Sequence, residues 1–363
     1  MFDTAGAGEG DICMELSHGG DWVGYEREYG LPLLDFSANV SPFGIPERVK
    51  QAAAQALDRA EHYPDPLCRE LREKLSEYHN IPAEWILCGN GASDLIYRLA
   101  LAKRPQTALV TAPAFSEYEN ALSLCGCSVT RFPLYAEDGF TVTEKILTEI
   151  TPELDMLFLC EPNNPTGRTT DRRLLEAILE RCAACGTLLV VDECFNDLLD
   201  APEEHTLFGF VSGVSDLLIL RAFTKSCGMA GLRLGYALCR DAELLERMRE
   251  SGPPWAVSGP AQAAGAAALE EGGCLTRLRQ LIQQERPRLA AGLTALGCQV
   301  CPGEANFLLF FSPVPDLGER LRKRGILLRD CSNYRGLGPG WYRASVRTGE
   351  ENQALLQTIR EVL

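Results

Sequence analysis

The sequence predicts an α/β fold: a large domain with a mostly parallel central sheet covered by helices, followed by a smaller α/β domain. Three observations carry this. Short apolar runs without polar alternation recur, "TALVT", "MLFLC", "TLLVVDE" and "LLILRAF", and such runs are strands buried on both faces. Helical patterns such as "RRLLEAILERCAAC" separate them, as parallel strands require. Beyond Gly252 a breaker-rich stretch, "PPWAVSGP", changes the pattern. A chain of 363 residues is also long enough for two cores.

Taken in order, residues 1–45 form an N-terminal arm that belongs with the smaller domain and the edge of the site. The large domain spans 46–252, and a linking helix with the smaller domain spans 253–363. Helices are expected over 46–60, where proline starts the run, and over about 67–79. A strand at 107–111, a helix at about 116–125 and the strand "SVTRFPL" follow. Then come strands at 156–160, 187–193, 217–223 and 234–239, with a helix at 172–185. Behind the break lies one long helical stretch, roughly 258–292. The strands "ANFLLFF", "ILLRD" and "YRASVRT", the helix "LGERLRKRG" and a last helix at 350–363 complete the chain.

Composition narrows the function. The net charge is −15, and nucleic-acid binders need a basic footprint. No apolar run approaches the length that spans a bilayer, and the start, "MFDTAGAGEGDICMEL", lacks the pattern of a secretory signal. The expectation is a cytoplasmic protein that binds neither nucleic acid nor membrane. Fifteen cysteines are scattered through the chain. The Cys182/Cys185 and Cys125/Cys127 pairs have no second Cys or His pair at zinc spacing, so no metal is expected.

Polar residues fall where the strands end. "CGNGASD" follows a strand and opens a helix. Its residues Gly91, Ala92 and Ser93 suit an anion on free backbone N–H groups; alone, such a stretch is more often only a turn. "EPNNPTG" puts Asn164 after "MLFLC", and "VVDE" puts Asp192 at the end of a very apolar strand, where an N-cap role is the plain alternative. "LLILRAFTK" ends in Thr224 and Lys225, and Arg233 follows in "GLRLGY". In open α/β sheets such ends line the ligand crevice.

Together these residues suit one ligand, a phosphorylated pyridine aldehyde. Arg233, Thr224 and the glycine turn would hold its phosphate. Asp192 would pair with the ring nitrogen, Asn164 with the ring hydroxyl, and Phe115 in "APAF" would stack on the ring. Lys225 would condense with the aldehyde and later move protons.

"NNPTG", "DE" after a strand, "TK…GLRLGY" and "YRASVR" stand in the order of the class I/II aminotransferases, and nearly the whole chain resembles that family. The resemblance implies the fold type I architecture and pyridoxal 5'-phosphate as cofactor. It also implies a homodimer with shared active sites, in which Tyr63 of one subunit reaches the cofactor phosphate of the other.

Within the family the chain departs from the histidinol-phosphate aminotransferase branch. "FSANVSPFG" has Val40 in place of an acid. Phe195 stands where a tyrosine is common, and Ala222 where a phosphate-binding hydroxyl is common. "HGGD", "FSAN" and "NYRGLGPGWYR" resemble instead a decarboxylating branch that acts on a small phosphorylated amino acid. By that resemblance His18, Gly19, Asn39, Asn164, Arg343 and Arg347 bind substrate, with Arg329 a further candidate. Arg343 and Arg347 are four apart on an expected strand and so face one side; a solvent-facing Arg347 and a mobile terminal His18 are the plain alternatives.

Overall fold

The computed structural model describes residues 18–30 and 32–363. Its main sheet has the order β2-β8-β7-β6-β5-β3-β4. The strands are β2 (Ile86–Gly89), β3 (Thr107–Ala112), β4 (Ser128–Pro133), β5 (Met156–Cys160), β6 (Leu188–Asp192), β7 (Leu217–Ala222) and β8 (Gly235–Cys239). Only β8 runs against its neighbours, so β2, β3, β5, β6 and β7 all end on one edge.

Strict alternation makes both faces apolar. Leu157, Leu159, Leu189, Val191, Leu217 and Ile219 point to one side. They meet α2 (Glu47–Ala56), α3 (Arg69–His79), α7 (Arg172–Cys185) and α10 (Gly259–Ala268). Met156, Phe158, Leu188, Val190, Leu218 and Leu220 point to the other side, against α4 (Gly91–Lys103), α5 (Glu117–Leu124) and α9 (Ala242–Glu250). A fully buried leucine or valine contributes about 1.5–3 kcal/mol, so the central strands are the most strongly specified part of the chain. The short α6 (Ile146–Glu149) closes a connection, and α8 (Phe223–Ser226) begins directly where β7 ends.

The second core lies around an antiparallel sheet of order β12-β13-β10-β9, with β9 (Gln299–Val300), β10 (Phe307–Phe311), β12 (Arg329–Asp330) and β13 (Trp341–Ser345). Leu289 and Leu293 of α11 (Gly272–Ala295), Leu317 and Leu321 of α12 (Leu317–Arg322), and Leu355 and Ile359 of α13 (Gly349–Val362) cover it. The N-terminal arm joins this unit: β1 (Leu34–Asp35) pairs in parallel with β11 (Ile326–Leu327), and Phe36 is fully buried in the same core. A short α1 (Trp22–Tyr29), capped by Asp21, precedes it. Phe195, Leu198, Leu278, Ile282, Ala305 and Phe307 form the apolar seam between the two units.

Three expectations are corrected. The single helix over 258–292 is two helices, broken at 269–271, because α10 stacks on α2 and α3 while Gly272 and Gly273 are poor at continuing a helix. "ILLRD" is split between β11 and β12, which belong to different sheets. β13 stops at Ser345, because Thr348 caps α13 through a capping box with Glu351, so Arg347 does not share the strand with Arg343. No helix among the described residues is long and apolar enough to cross a membrane.

His79, at the end of α3, makes a 3.0 Å hydrogen bond with the Tyr236 hydroxyl. Burial first, and the positive Arg221 second, push its imidazole down to about 3. Unfolded histidine takes a proton near pH 6.5, so this site costs stability as pH falls from 6.5 toward 3 and contributes nothing above that window. Thermal or urea denaturation at pH 7.5 and pH 5 is expected to show His79→Gln losing less stability on acidification than the wild type, by on the order of 1–2 kcal/mol. Equal losses would contradict the assignment.

Candidate active site

The five aligned strand ends bring the predicted residues to one cavity. Ala92, Ser93, Phe115, Asn164, Asp192, Thr224, Lys225 and Arg233 all line it. Apart from Arg233, which stands just before the antiparallel β8 begins, each side chain lies within a few residues of the point where a parallel strand stops and the backbone turns.

At one end sits the start of α4. The side chain of Asn90 does not cap this helix, so its first N–H groups face the cavity without a side-chain acceptor. Gly91 has φ +81°, and a Cβ there would come within 2.6 Å of the Arg233 guanidinium. Arg233 donates to the Ala230 carbonyl at 3.3 Å, and no carboxylate pairs with it among the described residues. Helix start, guanidinium, Ser93 and the buried Thr224 are a set of donors without an anion, which fits a phosphate.

At the other end Asp192 is 6% exposed. Its Oδ2 accepts from the Tyr118 hydroxyl at 2.6 Å and its Oδ1 from the Cys194 N–H at 3.0 Å. Burial, then the charge of Asp192, push the Tyr118 phenol well above its ordinary value, so Tyr118 remains a donor and its partner an acceptor. A carboxyl group that accepts from two neighbours in this position fits a protonated ring nitrogen. Phe115 packs edge-on against Tyr118, with centroids 5.6 Å apart.

Lys225 stands between the two ends. Its carbonyl accepts from Ser41 N–H at 3.1 Å, and its Nζ lies 5.4 Å from the centre of the Phe195 ring. Burial first, and the neighbouring positive charges of Arg343 and Arg233, push its amine down to about 8. Arg343 is itself 6% exposed. One of its nitrogens donates to Asn164 Oδ1, another to the Ser37 carbonyl at 2.9 Å, and its Nε has no partner. No carboxylate pairs with it among the described residues, and a buried cation without one is costly.

Other candidates are placed differently. Asn39 is buried beside this edge, its Oδ1 without a partner and its carbonyl accepting from Asn306. Gly19 packs on Ser37, and His18 stands over Phe115 with ring centroids 5.6 Å apart. Arg347, past the end of β13, is held by Glu351 at 2.6 Å and the Asp35 carbonyl at 3.1 Å; its charge is already paired. Arg329 donates to Asn333 Oδ1 at 2.8 Å and lines a second cavity beyond Phe115. Tyr63 is 79% exposed, stacked on Trp255 and outside the Lys225 cavity of its own chain.

Sequence reasoning missed Tyr118, Cys160 and Cys194 as lining groups, and the Arg343–Asn164 contact. Only Tyr118 carried a signal: it lies three residues after Phe115, in the first turn of the expected helix at about 116–125.

Fold and site together define an enzyme built around pyridoxal phosphate. The chain belongs to the aminotransferase class I and II family, whose pattern matches residues 32–359. It is 40% identical to a threonine-phosphate decarboxylase of Salmonella typhimurium LT2 over 91% of each chain. It is 35% identical to a histidinol-phosphate aminotransferase of Symbiobacterium thermophilum over 93% of each. Among solved structures, the histidinol-phosphate aminotransferase of Clostridium acetobutylicum superimposes with a TM-score of 0.85 at 26% identity, covering 91% of this chain and 99% of its own.

Only an unprotonated amine attacks an aldehyde. Covalent capture of pyridoxal phosphate by the apoprotein, followed by visible absorbance, is expected to accelerate up to about pH 8 and then level, and to vanish in Lys225→Ala. Acceleration that continues to pH 10 would show an unperturbed lysine.

Proposed function

We propose that this enzyme decarboxylates L-threonine O-3-phosphate to (R)-1-amino-2-propanol O-2-phosphate, a step toward cobalamin or a related cobamide. The observation that carries this reading is the seating of the head segment. Gly20 N–H donates to Ser37 Oγ at 2.8 Å, and His18 is thereby brought against Phe115 at the mouth of the Lys225 cavity. "HGGD" and "FSAN" are the stretches that resemble the decarboxylating branch, and the higher identity to the decarboxylase relative supports the same choice.

When bound, pyridoxal phosphate supplies an electron sink for the pair left at the substrate's α-carbon. In this reading Gly91, Ala92, Ser93, Thr224 and Arg233 hold its phosphate, Asp192 its ring nitrogen and Asn164 its ring hydroxyl, while Phe115 covers a ring face. Phe195, lacking a hydroxyl, leaves Asn164 to act without a tyrosine partner. Arg343 is the group for the substrate carboxylate: it is buried, cationic and lacks a carboxylate of its own. His18 and Asn39 serve the phosphate side. Arg347, already paired with Glu351, has a supporting role toward the 35–37 segment.

The chain's task is orientation. An aminotransferase weakens the carbon–hydrogen bond at the α-carbon; a decarboxylase must weaken the carbon–carboxylate bond. Gripping both anionic ends selects between them, and correct alignment is worth about 7–11 kcal/mol in favourable systems. After carbon dioxide leaves, a proton returns to the α-carbon from Lys225 or water. Lys225, with its amine near 8, still carries that proton at neutral pH.

By family resemblance the working form is a cytoplasmic homodimer, with Tyr63 completing the cofactor-phosphate site of the other subunit. Its exposure in the single chain agrees with that role.

Assays on L-threonine phosphate, L-serine phosphate and histidinol phosphate, with and without 2-oxoglutarate, test the reading. Release of carbon dioxide from threonine phosphate without any oxo acid is expected, with serine phosphate weaker, since one methyl group gives about 10–200-fold discrimination at most. Glutamate formed from histidinol phosphate and 2-oxoglutarate, without carbon dioxide, would establish the aminotransferase instead.

A further inference from the structure

Glu117 opens α5, two residues after Phe115. Its side chain is 13% exposed, and donors surround it. Oε1 meets His18 Nε2 at 2.9 Å and Asn120 Nδ2 at 3.1 Å, while Oε2 accepts from the Tyr97 hydroxyl at 2.7 Å. The bond to His18, then that to Tyr97, hold this carboxylate down to about 2 against the opposing effect of burial. It is therefore ionised at any working pH and can only accept.

His18 is half-exposed and would swing freely without restraint. Two contacts aim it. Gly19 lies so close to Ser37 that a Cβ would come within 2.6 Å of the Ser37 carbonyl oxygen, which pins the backbone. Glu117 pins the ring. The same Ser37 carbonyl accepts from Arg343, so the imidazole and the buried guanidinium are referenced to one residue.

The chemistry of the pair is directional. Against an ionised carboxylate, Nε2 must carry a proton. A neutral ring would then turn the Nδ1 lone pair outward, and that repels an anion. A ring protonated on both nitrogens turns an N–H outward, which an anion accepts.

We propose that Glu117 is a positioning residue: it holds His18 over Phe115 so that the outer ring nitrogen can donate to the phosphate of the substrate. The inference rests on the functional reading above. Tyr97 fixes the second carboxylate oxygen and so the plane of the grip.

The test uses holoenzyme: wild type, Glu117→Gln, His18→Ala and the double variant, assayed with L-threonine phosphate and unphosphorylated L-threonine, with inorganic phosphate as a competitive inhibitor. Glutamine keeps the shape and removes the charge. Glu117→Gln is expected to raise KM for threonine phosphate and the inhibition constant of phosphate about tenfold, as loss of a charged hydrogen bond does, with kcat within about twofold. Kinetics with threonine stay as in the wild type. His18→Ala gives an equal or larger change, and the double variant matches His18→Ala alone, because the carboxylate acts only through the ring. Unchanged KM in Glu117→Gln, equal effects on both substrates, or multiplying effects in the double variant overturn the inference while leaving the decarboxylase reading intact. A wild type inactive on threonine phosphate overturns both. If Glu117→Gln loses native circular dichroism or cofactor absorbance, Tyr97→Phe decides: a rise in the phosphate inhibition constant with unchanged threonine kinetics supports the proposal, and no change overturns it.

Discussion

Two cations, Lys225 and Arg233, line one cavity with a single carboxylate, Asp192, and a third, Arg343, reaches its edge through Asn164. In a medium that screens poorly, like charges this close raise each other's cost. The lysine answers, first to its own burial and then to these charges, by losing affinity for its proton, to about 8. The arginines cannot, so they remain charged and in need of anions. The rest of the molecule is arranged around that imbalance. A phosphate at the start of α4 and a carboxylate near Arg343 would neutralise it, and a pyridine nitrogen at Asp192 would use the one negative charge present.

Holding such a set in place requires a stiff frame. The parallel strands provide it, since both faces are packed with leucine, valine and isoleucine and every strand end is thereby fixed relative to its neighbours. In register, Cys160 lies opposite Asp192, and Asp192 opposite Leu220. A slip of one residue would turn Asp192 into the core. The apolar faces thus determine where the charges point.

The smaller unit contributes what the large sheet cannot. Arg343 sits on β13, yet its nitrogens reach Asn164 after β5 and Ser37 in the arm. Phe195 and Phe307 meet edge to face, 5.1 Å apart, in the seam just below. The groups at this edge therefore come from three separated parts of the chain, and contact between them depends on how the two cores dock.

Much of this was legible in the sequence. Buried strands announced themselves by unbroken apolar runs, and the residues at or just after their ends, Asn164, Asp192 and Lys225, stood out because polar groups there need a reason. That information is local: it depends on strand period and on where a strand stops. Helix continuity through 269–271 and strand continuity into Arg347 were misjudged, because docking of α10 on α2 and the cap at Thr348 decided them.

The sequence by itself determined the class of sheet, the strand ends and the residues presented there, since hydrophobic periodicity and chain direction suffice for these. Only the tertiary structure decided that Arg343 has no carboxylate partner among the described residues while Arg347 has one, that Tyr118 serves Asp192, and that Glu117 holds His18. Those pairings join positions far apart in the chain, and no local pattern encodes which distant side chains packing will bring within hydrogen-bonding distance.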